Sequence, residues 1–139
     1  IACEVDEDWS LKDRIVFGHT ILQREDSDKN EYYYIHNAHG DITALTEGKG
    51  EVINSYSYDA FGNILDSVEK IENRFKYSGE MLDPVTGQYY LRARYYNPSI
   101  GRFMQEDTFR GDGLNLYTYV ANNPVLCFLR GTNKKHCKQ

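Results

Sequence analysis

The chain has 139 residues, of which 40% are hydrophobic, and a mean hydropathy of -0.66. This length fits one domain or part of one, so two independent cores are not expected. The formal net charge is -5, and the chain up to Val125 carries 12 basic against 21 acidic residues, a net charge of -9. Nucleic-acid binding draws its affinity from neutralising phosphates, so this acidic body predicts no nucleic-acid partner.

Aromatic residues dominate the apolar content, with twelve tyrosines and six phenylalanines. A tyrosine suits a layer with one buried face, because its ring is covered while its hydroxyl reaches water or a partner. The composition therefore predicts a β-rich fold with an aromatic interior. No stretch is apolar enough to span a bilayer, and the first residues lack the basic head of a signal peptide, so we expect an excised fragment without a membrane span.

The first predicted elements form a β-hairpin. Alternating apolar residues favour extended structure over 14–23, with an interruption at Gly18, and again over 31–35. The polar residues 25–30 between them are typical of a turn.

A second predicted hairpin consists of strands over 41–46 and 51–58. Its linker contains glycines, which adopt positive φ at no steric cost and therefore close a tight turn. Tyr56 and Tyr58 are two positions apart on the second strand, so they share a face on which neighbouring rings stack.

The segment Tyr-Asp-Ala-Phe-Gly-Asn at 58–63 predicts a turn of defined chemistry. We expect the Asp59 carboxylate to accept backbone N–H groups of the turn. Gly62 is expected to take the left-handed conformation that lets the chain reverse into a strand at 64–65. A polar link over 67–73 follows.

The next segment predicts short strands separated by turns. Residues 75–77 are expected to form a short strand and 83–87 a turn in which Pro84 fixes φ. Residues 88–96 predict the longest aromatic strand of the chain.

The last part of the predicted body contains one further turn and one ambiguous element. Residues 97–101 predict a turn that leads into a strand over 102–104. Residues 114–119 fit both helical spacing and strand alternation, so the pattern leaves both structures open.

Ordered motifs over most of the chain carry a family resemblance. The residues that form them are Tyr58, Asp59, Gly62, Gly87, Tyr89, Tyr90, Arg92, Arg94, Tyr95, Tyr96, Pro98, Gly101, Phe103, Asn122, Asn123 and Pro124. Their order resembles the RHS (rearrangement hotspot) or YD-repeat family, and in particular the RHS repeat-associated core domain of bacterial polymorphic toxins.

The resemblance implies an all-β fold of consecutive antiparallel hairpins that forms part of a hollow β-shell, and a short helix near 114–121 stays open beside it. It places the end of an upstream repeat region at 1–30 and the core domain at 31–125. The basic tail at 126–139 departs from the family pattern, and disorder is expected there because its end offers little to bury.

The function implied by the resemblance is that of a non-enzymatic closing segment, which encloses or presents a C-terminal toxin polypeptide. The implied partners are the upstream RHS repeats of the same parent chain, the enclosed toxin and its immunity protein, in a secreted or cell-surface parent. No cofactor is expected. A short piece of a hairpin spiral leaves a strand edge unpaired, so the isolated fragment is expected to self-associate.

Self-cleaving members of the family use an arginine and two aspartates, and Arg102 and Asp107 match the first two positions. The second aspartate belongs to an Asp-Pro-x-Gly motif after Asn-Asn-Pro, which residues 126–131 lack. A paired-carboxylate mechanism needs two like charges forced together, so we expect no self-cleavage. Arg102 and Asp107 are interpreted as an ion pair within a turn. Two alternatives stay open, an incomplete aspartyl self-protease and a carbohydrate-binding repeat module.

Metal and disulfide chemistry find little support in the sequence. Cys3, Cys127 and Cys137 lack zinc-site spacing, so free thiols are expected, with a bridge between the last two left open. His36 and His39 are interpreted as histidines flanking a turn, and no metal site is expected.

Overall fold

The computed structural model describes residues 1–107, 115–130 and 134–137. Those residues form three antiparallel sheets and two short 3-10 turns, and they include no α-helix. The largest sheet contains seven strands in chain order, β1 Ala2–Val5, β2 Leu11–Phe17, β3 Ile21–Asp26, β4 Glu31–His36, β5 Ile42–Glu47, β6 Val52–Tyr58 and β7 Ile64–Glu69. Each strand pairs with the next, so the predicted series of antiparallel hairpins is confirmed.

The second sheet follows the large one in the chain and has four short strands. They are β8 Met81–Leu82, β9 Tyr89–Tyr90, β10 Tyr95–Asn97 and β11 Arg102–Phe103. The 3-10 turns lie at Tyr77–Gly79 and Val120–Asn122. We call the four strands and these two turns the closing sheet. No helix within the described ranges is long and apolar enough to cross a membrane.

The predicted long strand over 88–96 is wrong, because the chain turns in its middle. The Ala93 N–H donates to the Leu91 carbonyl at 2.7 Å, and Arg92 has a φ of 61°. The side chains of Leu91 and Arg94 are buried on either side of this turn. Tertiary packing therefore breaks a segment whose local pattern favours one continuous strand.

The predicted strand over 75–77 is also wrong. Phe75 forms only an isolated bridge with Met81, and the chain then enters the 3-10 turn at Tyr77–Gly79, where Ser78 has a φ of 55°. The polar link expected from Ser67 begins later, since β7 continues to Glu69.

The C-terminal tail contains a hairpin of β12 Cys127–Arg130 and β13 Lys134–Cys137, which differs from the disorder expected for 126–139. Cys127 is buried and disulfide-bonded, and its register partner is Cys137. The expectation of free thiols is therefore wrong for Cys127, whereas Cys3 is free and exposed. A disulfide lowers the entropy of the unfolded chain, and this stabilises the folded tail.

Two hydrophobic clusters form the core. The cluster of the large sheet contains Ile15, Ile21, Tyr32, Tyr34, Ile42, Leu45, Ile53 and Tyr56. The cluster of the closing sheet contains Tyr77, Tyr89, Leu91, Tyr96, Phe103, Tyr119, Val120 and Cys127. Tyr58 packs against both clusters, so the end of β6 joins them into one interior.

Candidate functional site

The turn after β6 has the chemistry that its sequence predicts. Asp59 Oδ1 accepts the N–H groups of Phe61 and Asn63, each at 2.9 Å, and Gly62 has a φ of 91°. The Asn63 side chain also donates to Asp59 Oδ2 at 2.7 Å. A carboxylate that accepts several N–H groups replaces the backbone partners that the reversing chain cannot supply.

The same turn recurs along the large sheet. The first residue of each turn is an acid or amide whose side chain accepts N–H groups two and four residues later, and the fourth residue has positive φ. The first and fourth residues are Asp6 and Trp9, Asp26 and Lys29, Asn37 and Gly40, and Asp59 and Gly62. The turn that the sequence predicts at one position thus forms four of the six hairpin connections of the large sheet.

The Tyr58–Asp59 turn differs from the others because the closing sheet docks on it. Three tyrosine hydroxyls donate to three consecutive carbonyls of the turn. Tyr77 donates to Ala60 at 2.8 Å, Tyr96 to Phe61 at 2.6 Å and Tyr89 to Gly62 at 3.0 Å. These bonds give the three turn carbonyls hydrogen-bond partners within the protein.

The docking tyrosines also pack against one another and against Tyr119. The rings of Tyr96 and Tyr119 are stacked at 4.2 Å between centroids, and Tyr77 lies 5.7 Å from Tyr89. Burial raises the pKa of the Tyr77 and Tyr96 hydroxyls, so these groups stay neutral donors at physiological pH. The arrangement is a neutral aromatic interior rather than a set of convergent acids and bases.

The structure pairs Asp107 with Arg94 and not with Arg102, so the predicted ion pair within a turn has a different partner. Arg94 Nη2 lies 3.0 Å from Asp107 Oδ2, and the guanidinium carbon lies 3.6 Å from the centre of the Phe103 ring. Arg94 is buried, and this burial lowers the pKa of its guanidinium although the Asp107 charge opposes the effect.

Arg102 lies at the start of β11 with an exposed side chain, and its backbone bridges to Thr118. Asp107 is held further by its own N–H, which donates to the Leu116 carbonyl at 2.9 Å. Among the three arginines at 92, 94 and 102, sequence spacing does not reveal which one the fold turns inward. The position of Arg94 inside a turn between two tyrosine pairs is the one signal that could have found it.

The two histidines of the β4–β5 hairpin are not brought to a metal site. His39 Nδ1 lies 2.7 Å from Asp41 Oδ1 instead. Within the part of the chain that the structure describes, no group of three or more His, Cys, Asp or Glu side chains could hold a metal ion.

A cleft of about 730 Å³ lies between the first strands of the large sheet and the closing sheet. Its lining residues include Ile15, Phe17, Phe75, Glu80, Met81 and Arg92. Burial raises the pKa of Glu80 to about 7, against the opposing effect of the Arg92 charge. Sequence reasoning did not identify Glu80, because nothing in its local pattern signals burial.

Comparison with known proteins agrees with this geometry. A family model described as Teneurin YD-shell matches residues 14–125. The chain belongs to this YD-shell family. The matched range includes both the Tyr58–Asp59 turn and the tyrosines that dock on it, and the chain is a segment of the RHS/YD-repeat type found in toxin-related proteins.

Relatives of known name are much longer than this chain. The tRNA(Glu)-specific nuclease WapA of Bacillus subtilis subsp. natto is 44% identical over 104 residues, which cover 69% of this chain and 4% of that protein. Toxin subunit YenC1 of Yersinia entomophaga is 33% identical over 106 residues, which cover 72% of this chain and 11% of that protein. The YD-shell segment therefore spans a small part of each relative.

A solved structure shares the fold. The crystal structure of TcdB2-TccC3 superposes with a TM-score of 0.76 and 25% identity, over 88% of this chain and 7% of that one. The antiparallel meander with its closing sheet is thus a recurring piece of much larger YD-shell proteins.

Proposed function

We propose that this YD-shell segment is a structural, non-enzymatic closing piece of a β-shell, which encloses or presents a polypeptide that follows it. The observation that carries the proposal is the docking of three tyrosine hydroxyls on the Tyr58–Asp59 turn. This contact joins the meander of hairpins to the closing sheet through a neutral aromatic interior. Such a contact suits a β-shell in which the sheet changes direction and ends.

The edges of the large sheet support this role. β1 and β7 are its terminal strands, each with one neighbour. An open strand edge is a template for another strand, so β1 is suited to continue the sheet from upstream repeats of the same parent chain. The toxin and nuclease names of the relatives favour a toxin as the enclosed polypeptide, with its immunity protein as a further partner. The disulfide at Cys127 favours a secreted or cell-surface parent, because disulfides persist in oxidising compartments.

Protection from protease tests the enclosure. A reporter polypeptide is placed after Gln139 in the parent chain and exposed to a protease that digests the free reporter. We expect the reporter to be protected in the parent and digested in the Gly62→Val variant, whose side chain would enter the Tyr77 ring. The matched Gly50→Ala variant, which has open space at that position, is expected to keep the protection. Digestion of the reporter in the unaltered parent at the rate of the free reporter would refute enclosure.

The alternative of an aspartyl self-protease is disfavoured by the partner of Asp107. Its carboxylate is engaged by buried Arg94, and the motif that would supply a second aspartate is missing from the sequence. Two carboxylates sharing a proton need a close like charge rather than a bound cation. Intact-mass measurement after long incubation is expected to show one uncut chain. A cut near residue 125 that disappears in Asp107→Asn would establish the protease instead.

Carbohydrate binding has one observation in its favour. The rings of Tyr90 and Tyr95 form an exposed pair with centroids 5.2 Å apart. Exposed aromatic pairs offer a flat apolar surface with polar tips. A glycan array decides this alternative, and a flat signal, or a signal unchanged by Tyr90→Ala, would count against it.

A further inference from the structure

The cleft between the large sheet and the closing sheet is mostly apolar. Its lining includes the side chains of Ile15, Phe17, Ile21, Phe75 and Met81. Phe17 and Met81 stay exposed although both are large and apolar. The volume of about 730 Å³ is large enough for a long side chain of another polypeptide. The cleft is therefore an apolar part of the molecule that the closing sheet leaves accessible.

Glu80 places a carboxyl group in this apolar lining. Its backbone is fixed, because its N–H donates to the Tyr77 carbonyl at 3.0 Å and its carbonyl accepts the Lys76 N–H at 3.0 Å. Its carboxyl group forms no hydrogen bond or ion pair with any residue that the structure describes. A carboxylate that loses water without gaining a partner costs stability. The fold thus presents an uncompensated acid to the cleft.

The other charged groups of the cleft do not compensate Glu80. Arg92 acts on it through its charge alone, with an exposed side chain that forms no ion pair with it in the described structure. Glu4 lines the cleft from β1, but its carboxylate lies 3.2 Å from the Arg74 guanidinium. The remaining titratable residues of the lining are Cys3, His19 and Tyr90. Glu80 is therefore the acid of the lining that is left for an external cation.

The cleft borders the free edge of the large sheet. Its lining includes Ala2 and Glu4 of β1, the terminal strand. Ala2 pairs in register with buried Ile15, and register partners share a face of the sheet. A residue opposite Ala2 on an added strand would lie on this face too, since side chains alternate with a period of two. A strand that pairs with β1 would therefore bring every second side chain to the side of the cleft.

We propose that the cleft binds a basic side chain carried by a polypeptide strand that pairs with the free edge of β1. The aliphatic stem packs on the apolar lining, and the cationic group donates to the Glu80 carboxylate. The polypeptide source of the cation rests on the proposed continuation of the sheet at β1. The binding of a cation by the cleft does not depend on that continuation or on enclosure.

The electrostatics of Glu80 set the direction of a pH dependence. Burial raises the pKa of Glu80 to about 7, against the opposing charge of Arg92. A cation binds the ionised carboxylate, so its affinity is expected to rise between pH 5.5 and pH 8. The bound cation then offsets the cost of the buried charge. This explains why the fold keeps a group that lowers the stability of the free chain.

NMR titration of the whole chain with labelled methionine methyl groups measures the site. Met81 lines the cleft and Met104 lies outside it, so the two methyl signals serve as reporter and reference. The probe is the capped pentapeptide Thr-Val-Lys-Val-Thr, and its matched control carries norleucine in place of lysine. At pH 8 the lysine peptide is expected to bind about tenfold more tightly than the norleucine peptide, because a hydrogen bond between charged groups adds this much.

Two variants assign the preference to Glu80. Glu80→Gln is expected to bind both peptides equally at both pH values, while Glu7→Gln, at an exposed turn, keeps the wild-type preference and its pH dependence. Arg92→Asn removes a like charge and is expected to bind the lysine peptide more tightly. Asparagine is tolerated there, because it adopts positive φ and Arg92 has a φ of 61°.

The wild-type titration can overturn the proposal without any variant. Equal binding of the two peptides at pH 8, or no shift of the Met81 signal with either, would contradict a cation site. A lysine preference that survives in Glu80→Gln would contradict the role of Glu80. n-Butylamine that binds as tightly as the lysine peptide would contradict the strand as the source of the cation. None of these results bears on the protease protection of the reporter, which tests enclosure by itself.

Discussion

At the scale of single residues, the contact between the large sheet and the closing sheet depends on side chains that hydrogen-bond to backbone groups. Asp59 accepts N–H groups of its turn, and the tyrosines of the closing sheet donate to the carbonyls of the same turn. The first half of this arrangement follows from sequence, because an aspartate before Ala-Phe-Gly-Asn has one dominant local hydrogen-bonding pattern. The second half does not, since it depends on residues 17 to 35 positions away.

Gly62 is the residue where the contact between the turn and the closing sheet leaves no room for a side chain. Its φ is 91°, and a Cβ added there would lie 2.6 Å from the Tyr77 ring. Gly62→Ala is expected to lower the free energy of unfolding by about 2–4 kcal/mol, from left-handed strain plus overpacking. Gly50→Ala has a similar φ of 85° but open space, so about 1 kcal/mol is expected there. Urea denaturation of both variants checks this, and equal losses would contradict the role of the Tyr77 contact.

Glu80 gives a pH dependence of stability. Its folded-state pKa of about 7 lies above the ordinary 4.5, so the folded protein loses stability as pH rises from about 4.5 through 7. At pH 8 the free energy of unfolding of Glu80→Gln is expected to exceed that of the wild type by on the order of 2–3 kcal/mol. Near pH 4 the two values are expected to be equal. Glu7→Gln, at an exposed turn, is the control. Thermal unfolding at both pH values gives the comparison, and no gain for Glu80→Gln at pH 8 would refute it.

At the scale of elements, the hairpins of the large sheet were predictable and the closing sheet was only partly so. Strands β2 to β6 show alternation bounded by polar or glycine turns, which is the signal of a sheet with one buried face. The chain around Leu91 and Arg94 has equally strong alternation but reverses direction tightly, and both side chains are buried. Whether these two side chains become buried depends on the whole fold and not on the local sequence.

The partner of Asp107 and the C-terminal hairpin escaped prediction for the same reason. Arg94 and Arg102 have the same chemistry, and only the reversal at 91–94 turns Arg94 toward Phe103 and Asp107. The sequence after Gly131 contains no large apolar residue, and the disulfide at Cys127 adds a stabilisation that composition does not register. The boundaries proposed at residues 30 and 125 stay predictions.

The docking of one element on another makes a further prediction. Tyr89 is buried and donates to Gly62, whereas its neighbour Tyr90 points to the exposed side. Tyr89→Phe leaves the Gly62 carbonyl without its donor and is expected to cost about 1–2 kcal/mol of stability, while Tyr90→Phe is expected to be close to neutral. Chemical denaturation of the two variants provides the test. A larger loss for Tyr90→Phe would mean that the hydroxyl does not hold the closing sheet.

At the scale of the whole molecule, the closing sheet packs on the large sheet at the Tyr58–Asp59 turn. The terminal strands of the large sheet, β1 and β7, each have one unpaired edge. Its stability is expected to come from contacts between neighbouring hairpins, as in other repeat architectures. Of the two residues that resemble a self-cleavage site, Asp107 is paired with Arg94, whereas the Arg102 side chain is exposed. We propose that a segment of this type supports function by its shape, as the closing piece of a β-shell.

Electron cryo-microscopy of the parent protein tests the central claim most directly. Our account predicts that a strand from upstream repeats pairs with the free edge of β1 at Ala2–Val5, and that residues 14–125 close one end of a hollow shell around an internal polypeptide. A map in which the β1 edge faces solvent, with these residues forming a separate domain beside an empty or open shell, would contradict it.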